Sequence, residues 1–251
     1  MKYKDKKWLY NKYINEKLST YQIAPLCNTS SPTIRRWLIK YEIPIRSLSE
    51  SIHLVLANHC NLSSEAIEWI NGELLGDGYL ISRSFYSARI SYSSKYLEYI
   101  EYVRDTLKSF GIEQAGKIKK CKMYYKNKDY FFYEYTSRDY PELLPIRKQW
   151  YPNGKKIIPR NIKITPLTLR QHYIGDGTLS KKDNGITLYT NNFSIENVEW
   201  LIIQMIKLGF KVKRQLCNNA IRIMVSSVND FLAYIGECPV KCYQYKWASS
   251  R

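Results

Sequence analysis

Two aspartates, Asp77 and Asp176, lie in identical Gly-Asp-Gly tripeptides 99 residues apart. Each tripeptide ends a stretch with the spacing of an amphipathic helix, INGELLGDG at 70–78 and LRQHYIGDG at 169–177. A carboxylate at a helix C-terminus meets the negative end of the helix dipole, and two such carboxylates side by side repel each other. Cations between the acids relieve this repulsion, and Mg²⁺ prefers hard oxygen ligands of this kind. The two acids therefore predict a metal centre with two or more Mg²⁺ ions between Asp77 and Asp176.

Glycines explain how two such acids can meet. Gly72 and Gly76 lie one turn apart on the first helix and share a face, and Gly175 matches Gly76 on the second helix. A glycine in a helix interior costs about 1 kcal/mol relative to alanine, so two glycines on one face indicate a structural requirement at that face. A close contact between the backbones of two parallel helices is such a requirement. The carbonyl groups of Gly76 and Gly175 then become further oxygen ligands for the metal.

The elements that follow each acid repeat in the same order. Gly78 to Gly111 spans 33 residues and Gly177 to Gly209 spans 32, and each interval holds two short strands and an amphipathic helix. Two further strands and a helix follow in each half. The sequence therefore predicts an α+β fold, a duplicated helix–strand–strand–helix–strand–strand–helix unit with pseudo-two-fold symmetry.

A small all-α segment precedes the duplication. Ser19 and Gln22 have the spacing of a capping box, and Ser31 followed by Pro32 begins another helix after a tight turn. Two short helices joined in this way predict a helix-turn-helix whose second helix enters a major groove. A connector with a short apolar helix near 52–57 follows it. The predicted segments are the helix-turn-helix at 1–47, a linker at 48–64, the first repeat at 65–160 and the second repeat at 161–251.

Charge and composition limit the partners of the chain. Lys and Arg number 39 against 22 acids, a net charge of +17, which favours a nucleic acid over a merely solvated basic surface. Six scattered cysteines and three histidines form no zinc motif, and we expect reduced thiols in an intracellular protein. The sequence shows no signal peptide and no apolar run of ~18 residues, so no membrane association is expected.

The two Gly-Asp-Gly stretches resemble the paired motifs of a single-chain LAGLIDADG homing endonuclease. The resemblance covers about residues 65 to 251 and is reinforced by WYPNGKKIIPRNIKITPL at 150–167. Both copies depart from the name motif, because Leu75 and Ile174 replace its first aspartate. The final acid of the motif, to which the family assigns the metal-binding role, is present in both copies.

The resemblance implies a monomer shaped as a saddle, whose two four-stranded sheets straddle duplex DNA with a long target site. Each active site would cut one strand by divalent-metal-dependent hydrolysis and leave short 3′ overhangs. The family also places a basic residue near each site. By position these are Lys156 for the first site and Lys246 for the second, with Lys155 as the alternative to Lys156. The implied catalytic residues are Asp77, Asp176, Lys156 and Lys246.

Strand alternation separates buried positions from those expected to face DNA. In 86–93, Ala88, Ile90 and Tyr92 are predicted to be buried, and in the second half Phe210, Val212 and Leu216. Arginine is suited to guanine, and glutamine or asparagine to adenine. The predicted DNA-contacting residues are Arg83, Arg89, Ser91 and Ser93 in the first repeat, Thr187, Tyr189, Asn191, Lys211, Lys213 and Gln215 in the second, and Thr33, Arg35, Arg36 and Arg46 in the helix-turn-helix.

Two other functions remain open at this level. The same scaffold can serve a non-cleaving transcription regulator, although such proteins usually lose one or both acids, or an intron maturase that binds RNA. A helix-turn-helix favours duplex DNA, and a nuclease of the HNH type is disfavoured because no histidine-rich metal motif is present. His172 and the tyrosine-rich run at 124–140 are predicted to pack in the interior, with no catalytic role for His172 or for Glu73 at the matching position.

Overall fold

The computed structural model describes residues 1–48, 50–51, 57–180 and 182–247. The chain forms two compact units, Met1–Ala57 and Asn58–Arg251, so the division falls inside the predicted 48–64 linker. Residues 52–56 of the predicted short apolar helix lie outside the described residues. Among the helices that are described, none is long and apolar enough to cross a membrane.

The first unit consists of short helices around a small apolar core. The capping box is confirmed, because the side chain of Ser19 accepts from the amide of Gln22 and the side chain of Gln22 accepts from the amide of Ser19. The next helix begins one residue earlier than predicted, since Ser30 has the extended N-cap backbone and Ser31 is already helical. The helices are α1 (Lys6–Tyr10, continued by a π-helical turn at Asn11–Asn15), α2 (Thr20–Leu26) and α3 (Ser31–Lys40). Their buried residues include Leu9, Tyr13, Ile23, Ile34 and Leu38.

The second unit repeats one series of elements. The first repeat contains α4 (Ser64–Leu75), β1 (Tyr79–Ile81), β2 (Arg89–Ser94), α5 (Leu97–Ser109), β3 (Lys119–Tyr125), β4 (Lys128–Thr136) and α6 (Leu143–Trp150). The second contains α7 (Pro166–Asp176), β5 (Gly177–Leu179), β6 (Ile186–Leu188), α8 (Ile195–Lys207), β7 (Val212–Gln215), β8 (Ala220–Ile223) and α9 (Val228–Ile235). A 3₁₀ segment at Lys241–Lys246 follows α9. The predicted order of elements is confirmed in both repeats.

Each repeat builds one four-stranded antiparallel sheet. The strand order is β1-β2-β4-β3 in the first sheet and β5-β6-β8-β7 in the second, so the two sheets have equivalent topology. The predicted alternation in β2 is confirmed, because Ile90 and Tyr92 are buried and Tyr92 pairs with buried Tyr135 of β4. Leu216 was predicted to be buried and is 80% exposed, because β7 ends at Gln215 and a turn begins there.

The tyrosine-rich run only partly follows its prediction. Tyr135 and Tyr140 are buried, as expected for interior packing, but Tyr124 and Phe131 are 69% and 52% exposed. Along one face of β4, burial decreases from Tyr135 through the partly buried Tyr133 to Phe131. The β3–β4 hairpin is longer than β7–β8, and its outer part therefore carries aromatic side chains into solvent.

Candidate active site and nucleic-acid interface

The two motif helices touch through backbone at their glycines. A Cβ atom placed on Gly72 would lie 2.7 Å from the carbonyl oxygen of Thr168 and 2.8 Å from Cβ of Gln171. One turn later, a Cβ on Gly76 would lie 3.4 Å from Cα of Gly175. Since real side chains do not approach backbone at 2.7 Å, α4 and α7 can pack this closely only with glycine at position 72. The predicted contact between the helices is therefore present.

The helix contact brings the two acids to the same place. Asp77 follows α4, Asp176 ends α7, and a Cβ on Gly175 would lie 3.7 Å from Oδ2 of Asp77. Burial and the neighbouring Asp77 raise the pKa of Asp176 to about 7, and burial also raises the pKa of Asp77. Two partly buried carboxylates that disfavour each other's charge form a site that a cation would stabilise.

Two lysines bind the carbonyl ends of these helices. Lys156 Nζ donates to the carbonyl oxygens of Gly76 and Gly78 at 3.1 and 3.0 Å, whereas Lys155 is exposed. Lys246, only 6% exposed, donates from Nζ to the carbonyl oxygens of Ile174 and Gly175 at 2.6 and 3.3 Å. Cations at helix C-termini satisfy orphan carbonyls and oppose the helix dipole. The lysines thus hold in place the turns from which the acids emerge.

The pKa of each lysine responds more to the charge of the acid in the other repeat than to the acid beside the helix it caps. Burial lowers the pKa of both lysines to about 8, and the acid that most opposes this shift is Asp176 for Lys156 and Asp77 for Lys246. Lys156 and Asp176 also line one cleft of about 110 Å³, together with Gly76. This pairing would give two composite sites, each with an acid from one helix and a lysine bound to the other.

The donor set fits a divalent cation. Within the described ranges, no group of three or more His, Cys, Asp or Glu side chains could hold a metal ion. A cation here would instead use the carboxylates of Asp77 and Asp176, the second lone pairs of the carbonyls of Gly76 and Gly175, and water. Mg²⁺ accepts such a site, because it is bound by one or two carboxylates and keeps several waters.

Behind the acids lies a buried polar network that sequence reasoning did not foresee. Glu73 is 2% exposed, and its Oε1 accepts from the hydroxyl of Tyr99 at 2.7 Å and from Nε2 of Gln171 at 2.6 Å. Burial raises the pKa of Glu73 to about 8, so its carboxyl is mostly protonated at neutral pH. The Gln171 contact crosses from one motif helix to the other. His172 is fully buried, as predicted, and burial lowers its pKa to about 4, which leaves it neutral.

Glu73 should make stability fall as pH rises. Its pKa is raised from 4.5 to about 8 on folding, so the folded state keeps a proton that the unfolded state releases over this range. As the pH rises from 4.5 to 8, the free energy of unfolding of the wild type should fall by on the order of 3 kcal/mol more than that of Glu73→Gln. Urea unfolding at pH 5 and pH 8 measures the difference. Equal losses in both proteins would show that Glu73 is ionised in the folded state.

The predicted DNA-contacting residues of the sheets fall into distinct settings. Arg83, Ser93, Lys211 and Lys213 are exposed. Others are engaged within the protein: Arg89 forms a bidentate ion pair with Asp139, Ser91 donates to the carbonyl oxygen of Tyr135, Thr187 accepts from Arg222, and Gln215 is partly buried. Tyr189 and Asn191 lie beyond the end of β6 and line the cleft beside Asp176. Contact with DNA stays a prediction for all of them.

Sequence reasoning missed Arg222 of β8. Arg222 pairs with Thr187 and Lys213 across the second sheet, so it shares their face, and it forms an ion pair with Asp183. Strand alternation along 220–223 could have identified Arg222, because it places this side chain on the face of β8 that is opposite to the buried Ile221 and Ile223. On the first sheet, a groove of about 360 Å³ is lined by four cations, Arg83, Arg89, Lys117 and Lys119, and by one acid, Glu134.

In the first unit, α3 presents two exposed arginines, Arg35 and Arg36, and Arg36 donates to the hydroxyl of Thr33 at 3.4 Å. Thr33 is partly buried next to them. Arg46 differs, because its guanidinium lies 3.9 Å from the ring centroid of Tyr13 and donates to the carbonyl oxygens of Lys17 and Leu18. It therefore holds its own unit together, and its predicted contact with DNA would require these hydrogen bonds to break.

Comparisons with known proteins find relatives in sequence and a solved structure of similar fold. An uncharacterised protein of Methanocaldococcus jannaschii is 28% identical over 257 residues, which cover 96% of this chain and 98% of that protein. A cytochrome b mRNA maturase of Debaryomyces hansenii is 26% identical over 174 residues, which cover 61% of this chain and 59% of that protein. The homing endonuclease I-WcaI, solved bound to its DNA recognition sequence, is 19% identical and has the same fold, with a TM-score of 0.67 over 84% of this chain and 98% of that chain.

A family model also matches this chain. The model of the LAGLIDADG DNA endonuclease family matches residues 67–231, which include both acids, both sheets and the helix contact. The match covers more than half of the chain. The chain therefore belongs to the LAGLIDADG DNA endonuclease family.

Proposed function

We propose that this chain is a monomeric homing endonuclease that cuts both strands of a long duplex DNA target, one strand at each composite site. The observation that carries the proposal is the pair of acids at the glycine contact, with a lysine bound to the carbonyl end of each motif helix. Regulators on this scaffold usually lack one or both acids, and this chain has both. The family resemblance implies a product with short 3′ overhangs.

The acids, the carbonyl groups and the lysines of the site have different roles in this proposal. Asp77 and Asp176, with the carbonyls of Gly76 and Gly175, would hold the divalent cations. Divalent cations held there would supply activation of a water nucleophile and charge stabilisation at the leaving oxygen. The lysines keep the helix ends in place and, where protonated, offset charge on the scissile phosphate or polarise the water beside it. With a pKa of about 8, both retain most of their charge at neutral pH.

The sheets supply target recognition in this proposal. The exposed Arg83, Lys211 and Lys213 would reach phosphates or base edges directly. Arg89 and Arg222 are held in fixed orientations by Asp139 and Asp183, which favours base reading over loose phosphate contact. A net charge of +17 supports binding to duplex DNA with a steep dependence on salt.

We propose that the first unit is a helix-turn-helix that adds contacts to the target. Arg35→Glu combined with Arg36→Glu should lower affinity for the target at least 10-fold, because two phosphate or base contacts become repulsive. Cleavage at saturating protein should persist, since the acids lie in the other unit. Filter binding and single-turnover cleavage measure both effects. Lys7→Glu is the control, because Lys7 is also exposed but lies on α1. An equal loss of target affinity in both variants would show that α3 is not the recognition helix.

A maturase activity is the second candidate. It is favoured by the similarity to the Debaryomyces hansenii maturase, although that match spans only 59% of the relative. The two functions are separated by substrate: the endonuclease cuts duplex DNA, whereas a maturase promotes splicing of an intron RNA. The paired acids favour the endonuclease.

A cleavage screen tests the proposed function. The purified chain is incubated with Mg²⁺ and a randomised duplex DNA library, and both cut ends are mapped. We expect breaks in both strands, offset by a few nucleotides, within one recurrent sequence. Binding to a recurrent sequence without any cut would instead identify a regulator.

A further inference from the structure

The β3–β4 hairpin has a face to which the proposed endonuclease function assigns no role. Strand register places Lys120, Lys122 and Tyr124 of β3 opposite Tyr133, Phe131 and Asp129 of β4. Phe131 and Tyr133 lie on the same side of β4 as Tyr135, which packs in the core under α5. We call Lys120, Lys122, Tyr124 and Phe131 the outer hairpin face.

The outer hairpin face points away from the side expected to bind DNA. Ser91 of β2 pairs with Thr136 and Ser93 with Glu134, so the expected DNA side of β4 carries its even-numbered residues. The outer face carries the odd-numbered ones. A duplex seated on Ser91 and Ser93 would therefore leave the outer face free.

The chemistry of this face is aromatic and basic. Tyr124 is 69% exposed and Phe131 52%, and the ammonium groups of Lys120 and Lys122 lie 5.2 and 5.9 Å from the ring centroid of Phe131. Asp129 is the acid on the same face, and it pairs with Lys122 at 2.9 Å. Of the six lysines between residues 117 and 134, Lys120 and Lys122 lie on this face, against the one acid Asp129. Exposed rings among excess cations complement a polyanion with accessible π-faces.

We propose that the outer hairpin face binds unpaired RNA. Bases stack on exposed aromatic rings without regard to sequence, while nearby lysines contact the phosphates. Duplex DNA does not offer base faces, because they are stacked inside the helix. RNA presents unpaired bases in loops, bulges and ends, where proteins stack them on aromatic side chains. The proposal goes beyond the endonuclease function and rests on it only for which face of the hairpin DNA leaves free.

Two double variants of the full chain separate stacking from charge. Tyr124→Ala with Phe131→Ala should weaken binding of a short single-stranded RNA at least about 10-fold, since each lost stack contributes ~1–3 kcal/mol. Lys120→Gln with Lys122→Gln should reduce the slope of log affinity against log salt by about 1.4, at ~0.7 per phosphate contact on a single strand. Fluorescence anisotropy with a labelled oligonucleotide measures both.

The opposite face of the same hairpin provides the control. Tyr125→Ala with Tyr130→Ala removes two exposed rings, at 54% and 46% exposure, from the other side. This control should leave RNA affinity unchanged, and all variants should keep the wild-type melting temperature because the rings are exposed. Three results would overturn the proposal: unchanged RNA affinity in the Tyr124 and Phe131 variant, an equal loss of duplex DNA binding, or tighter binding of the same oligonucleotide made as DNA.

Discussion

Asp176→Asn should lower the rate of double-strand cleavage by roughly 10³-fold and leave DNA binding within a few-fold of wild type. The amide has the shape of the carboxylate but cannot carry the charge that attracts a cation. Asp77→Asn should behave in the same way at the other composite site. Since each site serves one strand, each single variant should accumulate nicked duplex, and the two variants should leave opposite strands intact.

The measurement uses single-turnover cleavage with each strand labelled separately. Asp105→Asn is the matched control, because Asp105 is an exposed carboxylate of the same unit that pairs with Arg104 on α5. It should cleave at the wild-type rate. If both Asp77→Asn and Asp176→Asn cut as fast as this control, the acids are not the catalytic residues.

Gly72→Ala should destabilise the protein and slow cleavage, although alanine is the better helix former. The added methyl group would lie 2.7 Å from the carbonyl oxygen of Thr168, so α4 and α7 must separate. Overpacking of this kind typically costs about 1–3 kcal/mol, and we expect the upper end because the contacted atom is backbone of α7, which has little room to relax. Alanine regains ~1 kcal/mol of helix propensity, so the free energy of unfolding should fall by about 2 kcal/mol. Moving the acids by about 1 Å should slow cleavage by roughly 10²-fold.

Gly76→Ala is the matched control for stability. Its Cβ would lie 3.4 Å from Cα of Gly175, which is ordinary contact. Urea unfolding of both variants should therefore show a large loss for Gly72→Ala and a loss below about 1 kcal/mol for Gly76→Ala. A Gly72→Ala protein as stable as wild type would mean that the helices do not touch at this position.

The duplication, the order of elements and the helix contact could be predicted because each leaves a local and repeated signal. Gly-Asp-Gly recurs, the intervals after it match, and hydrophobic spacing changes between helix and strand at similar positions in both halves. The lysines were found only through the resemblance. Their placement on the helix ends depends on tertiary structure that links Lys156 to Gly76 and Lys246 to Gly175.

The remaining features depend on partners far apart in sequence. In the sequence, nothing near Arg89 indicates its ion pair with Asp139, which lies 50 residues later. In the same way, Arg46 reads as part of a basic arm, whereas in the structure it donates to backbone carbonyl oxygens of its own unit. Alternation shows which side chains share a face of a strand, but it does not show how much of that face a helix covers. For that reason the exposure of Tyr124 and Phe131 could not be seen in the sequence.

Anomalous diffraction from a crystal grown with the DNA target and Mn²⁺ tests the central claim most directly. We expect manganese peaks at the carboxylates of both Asp77 and Asp176, at metal–oxygen distances of about 2.1 Å, with the two acids side by side at the glycine contact. Manganese bound elsewhere with none at either acid, or two carboxylates on opposite flanks of the unit, would contradict it.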